Sequence, residues 1–155
     1  MIIITGASRG IGEFLFESYL RTSAEKVIGT YYTTNPTENL EHFRELDITV
    51  YEDVVNVVDG LDIESEQLTL INCAGISYNS FTHKSDPEKW KQVIETNLFG
   101  SYNMIRSLLP SMRNKKFGRI INFASVIAVL PTPGVSAYAA SKSSLWGLSR
   151  SISIE

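Results

Sequence analysis

Thr5-Gly6-Ala7-Ser8-Arg9-Gly10-Ile11-Gly12 joins an apolar run, Met1–Thr5, to an amphipathic stretch, Gly12–Arg21. The run predicts a β-strand and the stretch predicts an α-helix, so the glycines form a strand-to-helix turn. Glycine lets the backbone turn tightly and approach a ligand closely, and the free N–H groups at a helix N-terminus attract negative charge. The turn therefore predicts a pyrophosphate site, with a tight connection that binds no ligand as the alternative.

Short apolar runs alternate with longer amphipathic stretches along the rest of the chain, which is typical of βαβ units in a parallel sheet. The further strands are predicted at Lys26–Tyr31, Glu45–Asp47, Leu68–Asn72 and Gly118–Ala124. The further helices are predicted at Tyr51–Leu61, from Pro87 toward Met112 with a break near Asn97–Gly100, and from Ala137 onward. The side chains of the first helix that should face the sheet are Phe14, Leu15, Tyr19 and Leu20. The pattern as a whole predicts an α/β fold.

The composition fits one globular domain spanning residues 1–155, because 43% of the residues are hydrophobic and 20% are charged. The net charge is -3 and Lys115-Lys116 is the only basic cluster, so we expect no nucleic-acid partner. The longest apolar run, Val126–Leu130, is far too short to span a membrane. We therefore expect a soluble, cytoplasmic protein without a membrane partner.

The cysteine and the histidines predict neither a nucleophile nor a metal site. Cys73 has no partner for an internal disulfide, and we expect it to fill space in the core. His42 and His83 have no Cys, His or acidic residue at metal-ligand spacing.

Tyr138 and Lys142 stand four residues apart in Tyr138-Ala139-Ala140-Ser141-Lys142. Residues i and i+4 lie on the same face of a helix, so a phenol and an ammonium at this spacing can act on one substrate atom. A free phenol titrates at about 10, and a nearby positive charge favours its ionised form. The pair is a candidate proton donor, although such a pair on its own more often marks a solvated helix edge.

The glycine turn, Asn72-Cys73-Ala74-Gly75, Asn97, Ser125 and Tyr138-x-x-x-Lys142 together resemble the short-chain dehydrogenase/reductase family. The residues of these motifs are most similar to those of its 3-oxoacyl-acyl-carrier-protein reductase branch. The resemblance implies a Rossmann-type doubly wound parallel sheet, an NAD(P) cofactor, and interconversion of carbonyls and alcohols by hydride transfer. Cys73 is a departure, because the family more often has asparagine there, and it should leave the fold intact.

The resemblance assigns catalytic roles to four residues. Tyr138 is implied to be the general acid/base, and Lys142 to tune it and to hold the nicotinamide ribose. Ser125, at the predicted carboxyl end of the fifth strand, is implied to orient the substrate carbonyl. Asn97 is implied to hold a water that relays protons to Lys142. Taken singly, Ser125 and Asn97 are more often a turn residue and a capping residue.

Cofactor contacts are implied for a second set of residues. Gly12 should close the first helix against the sheet, and Asp47 should hold the adenine. The full set of implied cofactor-binding residues is Gly6, Ser8, Arg9, Gly10, Ile11, Asp47, Asn72, Ala74, Gly75, Tyr138 and Lys142.

The sequence favours NADP over NAD as the cofactor. An NAD site usually offers an acid to the ribose about 20 residues past the glycines, whereas a 2'-phosphate requires a nearby arginine. The expected acid position falls near Tyr31, where neither Asp nor Glu occurs, and Arg9 lies inside the glycine turn. The alternatives are an NAD site and an Arg9 that is only a solvated loop residue.

The chain ends at Glu155, inside or just after the last predicted helix, whereas the family continues with further strands. We therefore expect a C-terminally truncated Rossmann domain, which leaves open an active enzyme, an inactive fragment, or an NAD(P)-binding module without turnover. The resemblance implies that the complete chain forms a homo-oligomer, a dimer or tetramer, through helices around Leu98–Met112 and Ala137–Ile154. The substrate is expected to be a small carbonyl or alcohol compound that the sequence does not identify further.

Overall fold

The computed structural model describes residues 1–64 and 67–155. Its strands are all parallel: β1 (Ile2–Thr5), β2 (Val27–Tyr31), β3 (Phe43–Glu45), β4 (Thr69–Asn72) and β5 (Arg119–Asn122). They form one sheet in the order β3-β2-β1-β4-β5. Every residue of β1 is buried, as expected for a central strand that is covered on both faces.

Helices connect the strands and cover the two faces of the sheet. They are α1 (Gly10–Thr22), α2 (Tyr51–Asp59), α3 (Pro87–Ile94), α4 (Ser101–Asn114) and α5 (Ser136–Ile152). Because parallel strands alternate with helices on both faces, the predicted Rossmann-like α/β fold is confirmed. None of the helices in the described part of the chain is long and apolar enough to cross a membrane.

The side chains of β1 alternate between two apolar cores, one on each face of the sheet. Ile3 belongs to the core built with α2 and α4, which includes Val54 and Leu108. Ile2 and Ile4 belong to the core built with α1, which includes Phe16. Burying an aliphatic or aromatic side chain of this size stabilises the fold by about 1.5–3 kcal/mol.

The helix α1 faces the sheet with a different aromatic residue from the one predicted. Phe14 is 66% exposed and Phe16 is 2% exposed, so the prediction that Phe14 faces the sheet is wrong. Residues two apart on a helix are separated by about 200°, so burying Phe16 turns Phe14 toward solvent. Leu15, Tyr19 and Leu20 pack against this core as predicted.

Most predicted boundaries shift by one or two residues, and the third and fifth strands both end two residues before the predicted position. The third strand is Phe43–Glu45 rather than Glu45–Asp47, because Asp47 turns the chain by accepting hydrogen bonds from the backbone N–H and the hydroxyl of Thr49, at 2.9 and 2.6 Å. The fifth strand ends at Asn122 rather than Ala124.

The predicted break in the long helical region is a π-helix over Glu95–Gly100, which joins α3 to α4 without a turn. One residue more per turn widens the helix and shifts the side chains that follow relative to an α-helix, and such segments often mark functional sites. Gly100 lies against the Ile48 side chain, where an added Cβ would approach to 2.5 Å. The π-helix directs Asn97 inward, where it is fully buried.

Candidate active site

The glycine turn after β1 packs directly against the loop after β4. Gly6 has φ +63°, and an added Cβ would lie 2.8 Å from the Ala74 Cα. The Thr5 hydroxyl accepts a hydrogen bond from the Ala74 N–H at 3.1 Å. An added Cβ on Gly12 would lie 2.2 Å from the Gly6 carbonyl oxygen, so α1 begins in close contact with the turn. Glycine is therefore required at both positions by packing.

Gly10 is required for a different reason. Its φ is +61°, but no atom lies within 4 Å of an added Cβ, so the backbone here borders open space. The helix α1 starts at this residue, and no side chain caps its first N–H groups. Uncapped N–H groups beside open space form a cradle for an anionic group. This backbone fits the pyrophosphate of a dinucleotide.

A cavity of about 940 Å³ opens from this turn along the carboxyl ends of β1, β2 and β4. Predicted cofactor-binding residues that line it are Gly6, Ser8, Arg9, Gly10, Ile11, Asp47, Ala74 and Gly75. Ligands of open α/β sheets bind at the carboxyl ends of the strands, where neighbouring connections diverge to opposite faces. The place of the cavity in the fold is therefore the one expected for a dinucleotide, and the roles of these residues remain predictions.

Arg9 brings a positive charge to the wall of this cavity. Its side chain is exposed at the cavity wall, and within residues 1–64 and 67–155 it forms no ion pair. The end of β2 contributes Tyr31, Tyr32 and Thr33 to the same wall and no carboxylate. A guanidinium in this setting remains available for a phosphate.

Asp47 lines the same cavity and is held by Thr49. Its Oδ1 accepts both hydrogen bonds from Thr49. The Asp47 charge, together with a hydrogen bond to it, raises the pKa of the exposed Tyr32 hydroxyl. The sequence did not single out Tyr32, whose only signal was its place one residue past β2.

A second cavity, of about 700 Å³, continues from the first. The two cavities share a wall formed by Arg9, Ile11, Cys73, Gly75 and Ile76. The second cavity is further lined by residues of the loop after β4, the chain after β5, and α5: Ser77, Asn79, Phe123, Ala124, Ile127, Val135, Tyr138 and Lys142. The predicted proton donor therefore lies beside the space that continues from the glycine turn.

Tyr138 and Lys142 lie one turn apart on α5 and face this cavity. The Lys142 ammonium lies 5.7 Å from the centre of the Tyr138 ring. It donates a hydrogen bond to the Phe123 carbonyl oxygen at 2.7 Å. Lys142 is only 5% exposed, and this burial lowers its pKa below the ordinary value. The ammonium is thus held in place by the residue that follows β5 and by the packing around it.

Cys73 packs against the core built with α1, as predicted, and it is also half-buried in the wall shared by the two cavities. Burial raises the pKa of its thiol to about 11, and the positive charge of Lys142 opposes this shift. At neutral pH the thiol is therefore protonated and neutral. Cys73 then provides no negative charge to balance that of Lys142.

Asn97 connects three elements and is fully buried. Its Oδ1 accepts a hydrogen bond from the Ile76 N–H at 2.8 Å, and its Nδ2 donates to the Ile76 carbonyl oxygen at 2.9 Å. The Nδ2 group also donates to the Ser141 hydroxyl at 2.9 Å. Asn97 thereby joins the π-helix to the loop at the cavity wall and to α5. Nothing in the sequence indicated a role for Ser141, which stands between Tyr138 and Lys142 in the motif.

Ser125 stands at the start of the short 3-10 helix Val126–Ala128 rather than at the end of a strand. Its hydroxyl accepts a hydrogen bond from the Ile127 N–H at 3.3 Å. Its neighbours Ala124 and Ile127 line the second cavity. In this structure Ser125 therefore caps a turn at the cavity edge, and its catalytic role remains a prediction.

Asn72 is the one predicted cofactor residue that the structure places away from the two cavities. It donates a hydrogen bond to the Asn122 Oδ1 at 2.8 Å, and Asn122 in turn donates to the Ser149 hydroxyl at 2.8 Å. Neither cavity lining in the described part of the chain includes Asn72, which is paired with Asn122 on β5, so its role in cofactor binding stays a prediction. Asn72 ties the sheet to α5. Among the described residues, no group of three or more His, Cys, Asp or Glu side chains could hold a metal ion.

Known proteins are similar to this chain in sequence and in fold. The 3-oxoacyl-acyl-carrier-protein reductase of Salmonella typhimurium is 31% identical over 161 residues, which cover 99% of this chain and 66% of the reductase. The solved aldohexose dehydrogenase of Thermoplasma acidophilum is 32% identical, with a TM-score of 0.91 over 99% of this chain and 60% of that one. A closed serine dehydrogenase complexed with NADP+ is 27% identical, with a TM-score of 0.90 over 97% of this chain and 64% of that one.

The chain therefore spans about two thirds of the length of the proteins that it matches. The family profile of the short chain dehydrogenases matches residues 1–155, from the glycine turn to the end of α5. This match covers every element described above, and the fold agrees with that of solved relatives. The chain belongs to the short-chain dehydrogenase family.

Proposed function

We propose that this oxidoreductase chain reduces a carbonyl to an alcohol, and catalyses the reverse reaction, with Tyr138 as the general acid and base. The observation that carries the proposal is the position of Tyr138 and Lys142 on the wall of a cavity that continues from the glycine turn. A bound nicotinamide dinucleotide would supply or accept the hydride. The chain must then bind the substrate, orient it and move one proton.

Tyr138 would donate its hydroxyl proton to the carbonyl oxygen as that oxygen gains negative charge, and would take a proton from the alcohol in reverse. Lys142 lies 5.7 Å from the centre of the Tyr138 ring and is held by the Phe123 carbonyl, so its charge would stabilise the tyrosine after proton loss. Asn97 would hold the loop that borders both groups, through its paired hydrogen bonds with Ile76.

Ser125 would orient the substrate carbonyl by pointing its hydroxyl proton toward the cavity while its oxygen accepts from the Ile127 N–H. The two interactions are compatible, because a hydroxyl that accepts from Ile127 can still donate its own proton. Ser125 would then donate to the carbonyl while keeping the turn capped.

NADP is the cofactor that the first cavity supports best. Arg9 is exposed there without an acidic partner, and the end of β2 brings tyrosines and a threonine instead of the carboxylate that an NAD site uses for the ribose. A relative complexed with NADP+ has the same fold over 97% of this chain. Asp47 lines the same cavity and would contact the adenine.

A 3-oxoacyl thioester is the substrate class to test first, because a matched relative is a 3-oxoacyl-acyl-carrier-protein reductase. Absorbance at 340 nm would follow the oxidation of NADPH, and separately of NADH, by this chain with an acetoacetyl thioester. A second assay in the oxidative direction would follow the reduction of NADP+ with an aldohexose as substrate. Turnover that depends on the substrate is the expected result. Cofactor binding without turnover on either substrate would instead support an NAD(P)-binding module.

The assembly of the chain belongs to the same proposal. We expect a homo-oligomer through α4 and α5, in which Tyr102 and Trp146 are 41% and 56% exposed in the single chain. Light scattering at several concentrations would give the mass, and a monomer at micromolar concentration would contradict this expectation.

A further inference from the structure

Ser141 is a fully buried hydroxyl in the turn of α5 between Tyr138 and Lys142. It accepts a hydrogen bond from the Asn97 Nδ2 at 2.9 Å and donates its own proton to the Tyr138 carbonyl oxygen at 2.8 Å. The first bond reaches 44 residues back along the chain, to the π-helix, and the second stays within α5. The Ser141 hydroxyl therefore connects the turn of α5 that carries Tyr138 to the π-helix that carries Asn97.

The orientation of the Asn97 amide depends on this hydroxyl. The paired bonds with Ile76 use the Asn97 oxygen and one of its two N–H groups. The second N–H group has the Ser141 oxygen as its acceptor. A buried N–H group without an acceptor is unfavourable, so loss of the hydroxyl would favour rotation of the amide and weaken its grip on Ile76.

We propose that Ser141 is a positioning residue of the reaction, which fixes the Tyr138 turn of α5 and the Ile76 loop relative to each other through Asn97. The inference rests on the proposed function, because Tyr138 is the group that it positions. Ile76 and Tyr138 both line the second cavity, so the Ser141 bridge determines the distance between two of its walls.

Ser144 offers a matched control on the same helix. Its hydroxyl donates to the Ala140 carbonyl oxygen at 2.8 Å, which is the same kind of bond back along the helix that Ser141 makes. Ser144 is half-buried, and within residues 1–64 and 67–155 it forms no hydrogen bond to another element. Ser141→Ala and Ser144→Ala thus each remove one bond within α5, and only Ser141→Ala also removes the bridge to Asn97.

Amide hydrogen exchange at Ile76, measured by NMR on the unsubstituted chain and both variants, reads the bridge without any turnover. In Ser141→Ala the Ile76 N–H should exchange roughly two- to tenfold faster, the range expected when one hydrogen bond loses its net contribution. Ser144→Ala should leave this rate unchanged. Ser141→Cys keeps the size of the side chain, removes the strong hydrogen-bonding group, and replaces Ser141→Ala if the latter fails to fold.

Steady-state kinetics with NADPH and the best carbonyl substrate of the unsubstituted chain complete the test. For Ser141→Ala we expect kcat to fall about ten- to a hundredfold, because displacement of reacting groups by about 1 Å has effects of this size. The KM for NADPH should stay within about twofold, since neither Ser141 nor Asn97 lines the first cavity and Ile76 is only one residue of its wall. A purely structural role would instead lower the folded fraction and leave kcat per folded molecule unchanged.

Unchanged exchange at Ile76 would overturn the proposal, as would faster exchange with unchanged kcat per folded molecule. An equal fall in kcat in Ser144→Ala would overturn it too. If the unsubstituted chain shows no turnover, the proposed function fails, and exchange at Ile76 still decides whether Ser141 fixes the loop.

Discussion

The ammonium of Lys142 lies 5.7 Å from the centre of the Tyr138 ring and donates a 2.7 Å hydrogen bond to the Phe123 carbonyl oxygen. The side chain of Lys142 is 5% exposed, so a charge is held out of water beside a phenol. Such burial is unfavourable for the charge, and its benefit must lie in chemistry.

Replacing Lys142 with methionine should separate chemistry from stability. Lys142→Met keeps an unbranched stem of similar size and removes the charge, so turnover should fall about 10²–10⁴-fold, the range typical of acid–base catalysis. The free energy of unfolding at pH 7 should not decrease, because no buried charge remains. Urea denaturation and NADPH oxidation measure the two effects, with Lys91→Met, an exposed lysine paired with Glu88, as the control.

The stability difference between wild type and Lys142→Met should depend on pH. Burial lowers the pKa of Lys142, so the unfolded chain binds this proton more tightly than the folded chain does. The wild type should therefore gain stability relative to the variant as the pH rises from 7 through the lowered pKa of Lys142 toward the ordinary lysine pKa of about 10.4. A wild type whose stability relative to the variant stays constant, or falls, as the pH rises would contradict an unfavourably buried charge.

Arg9→Ala should weaken NADPH binding about tenfold or more and leave NADH binding within about twofold, because a charge-assisted hydrogen bond to the 2'-phosphate contributes about 1.5–3 kcal/mol. Fluorescence titration measures both dissociation constants. Arg21→Ala is the matched control, since Arg21 lies at the other end of α1 and pairs with Glu17 at 4.0 Å. Tighter binding of NADH than NADPH by the unsubstituted chain would reject the NADP preference.

The two glycines at the start of α1 should respond differently to alanine. An added Cβ on Gly12 would lie 2.2 Å from the Gly6 carbonyl oxygen, so Gly12→Ala must displace the turn and should lower the free energy of unfolding by more than about 2 kcal/mol. Gly10→Ala meets no atom within 4 Å, and only its φ of +61° is unfavourable, which costs about 1–2 kcal/mol. Equal losses in urea denaturation would show that packing against Gly6 does not matter.

Sequence reasoning was most successful where a pattern reflects a local physical requirement. The glycine turn, the strands, and the break before Gly100 follow from backbone freedom and from apolar periodicity, and they were found within a few residues. Phe14 was misplaced because three successive large apolar residues, Phe14, Leu15 and Phe16, leave the phase of a helix ambiguous.

Side-chain partners distant in sequence could not be read from the chain. Asn72 was assigned to the cofactor cleft, and nothing in the sequence indicated its hydrogen bond to Asn122, 50 residues away. Ser141 gave no sequence signal, because its role depends on an Asn97 amide that only the fold brings near. Cys73 was read as core filler, and its place on a cavity wall follows from the loop after β4.

Cys73 should react slowly with alkylating agents in the folded chain. Burial raises its pKa to about 11, so at pH 8 the thiolate fraction should be about a hundredfold lower than for an ordinary thiol near 9. Iodoacetamide labelling followed by mass spectrometry should therefore be slow at pH 8 and accelerate as the pH approaches 11. Bound NADPH should slow labelling further, since Cys73 lines both cavities. Rapid labelling at pH 8, unaffected by NADPH, would contradict this environment.

The Tyr138→Phe variant removes one hydroxyl and leaves the ring beside Lys142. Turnover of NADPH with the carbonyl substrate should fall at least about 10²-fold, while the dissociation constant of NADPH stays within about twofold, because the proton donor is lost and the glycine turn is intact. Tyr102→Phe, on the exposed face of α4, should match the wild type. A Tyr138→Phe variant with a near-wild-type rate would show that Tyr138 is not the general acid.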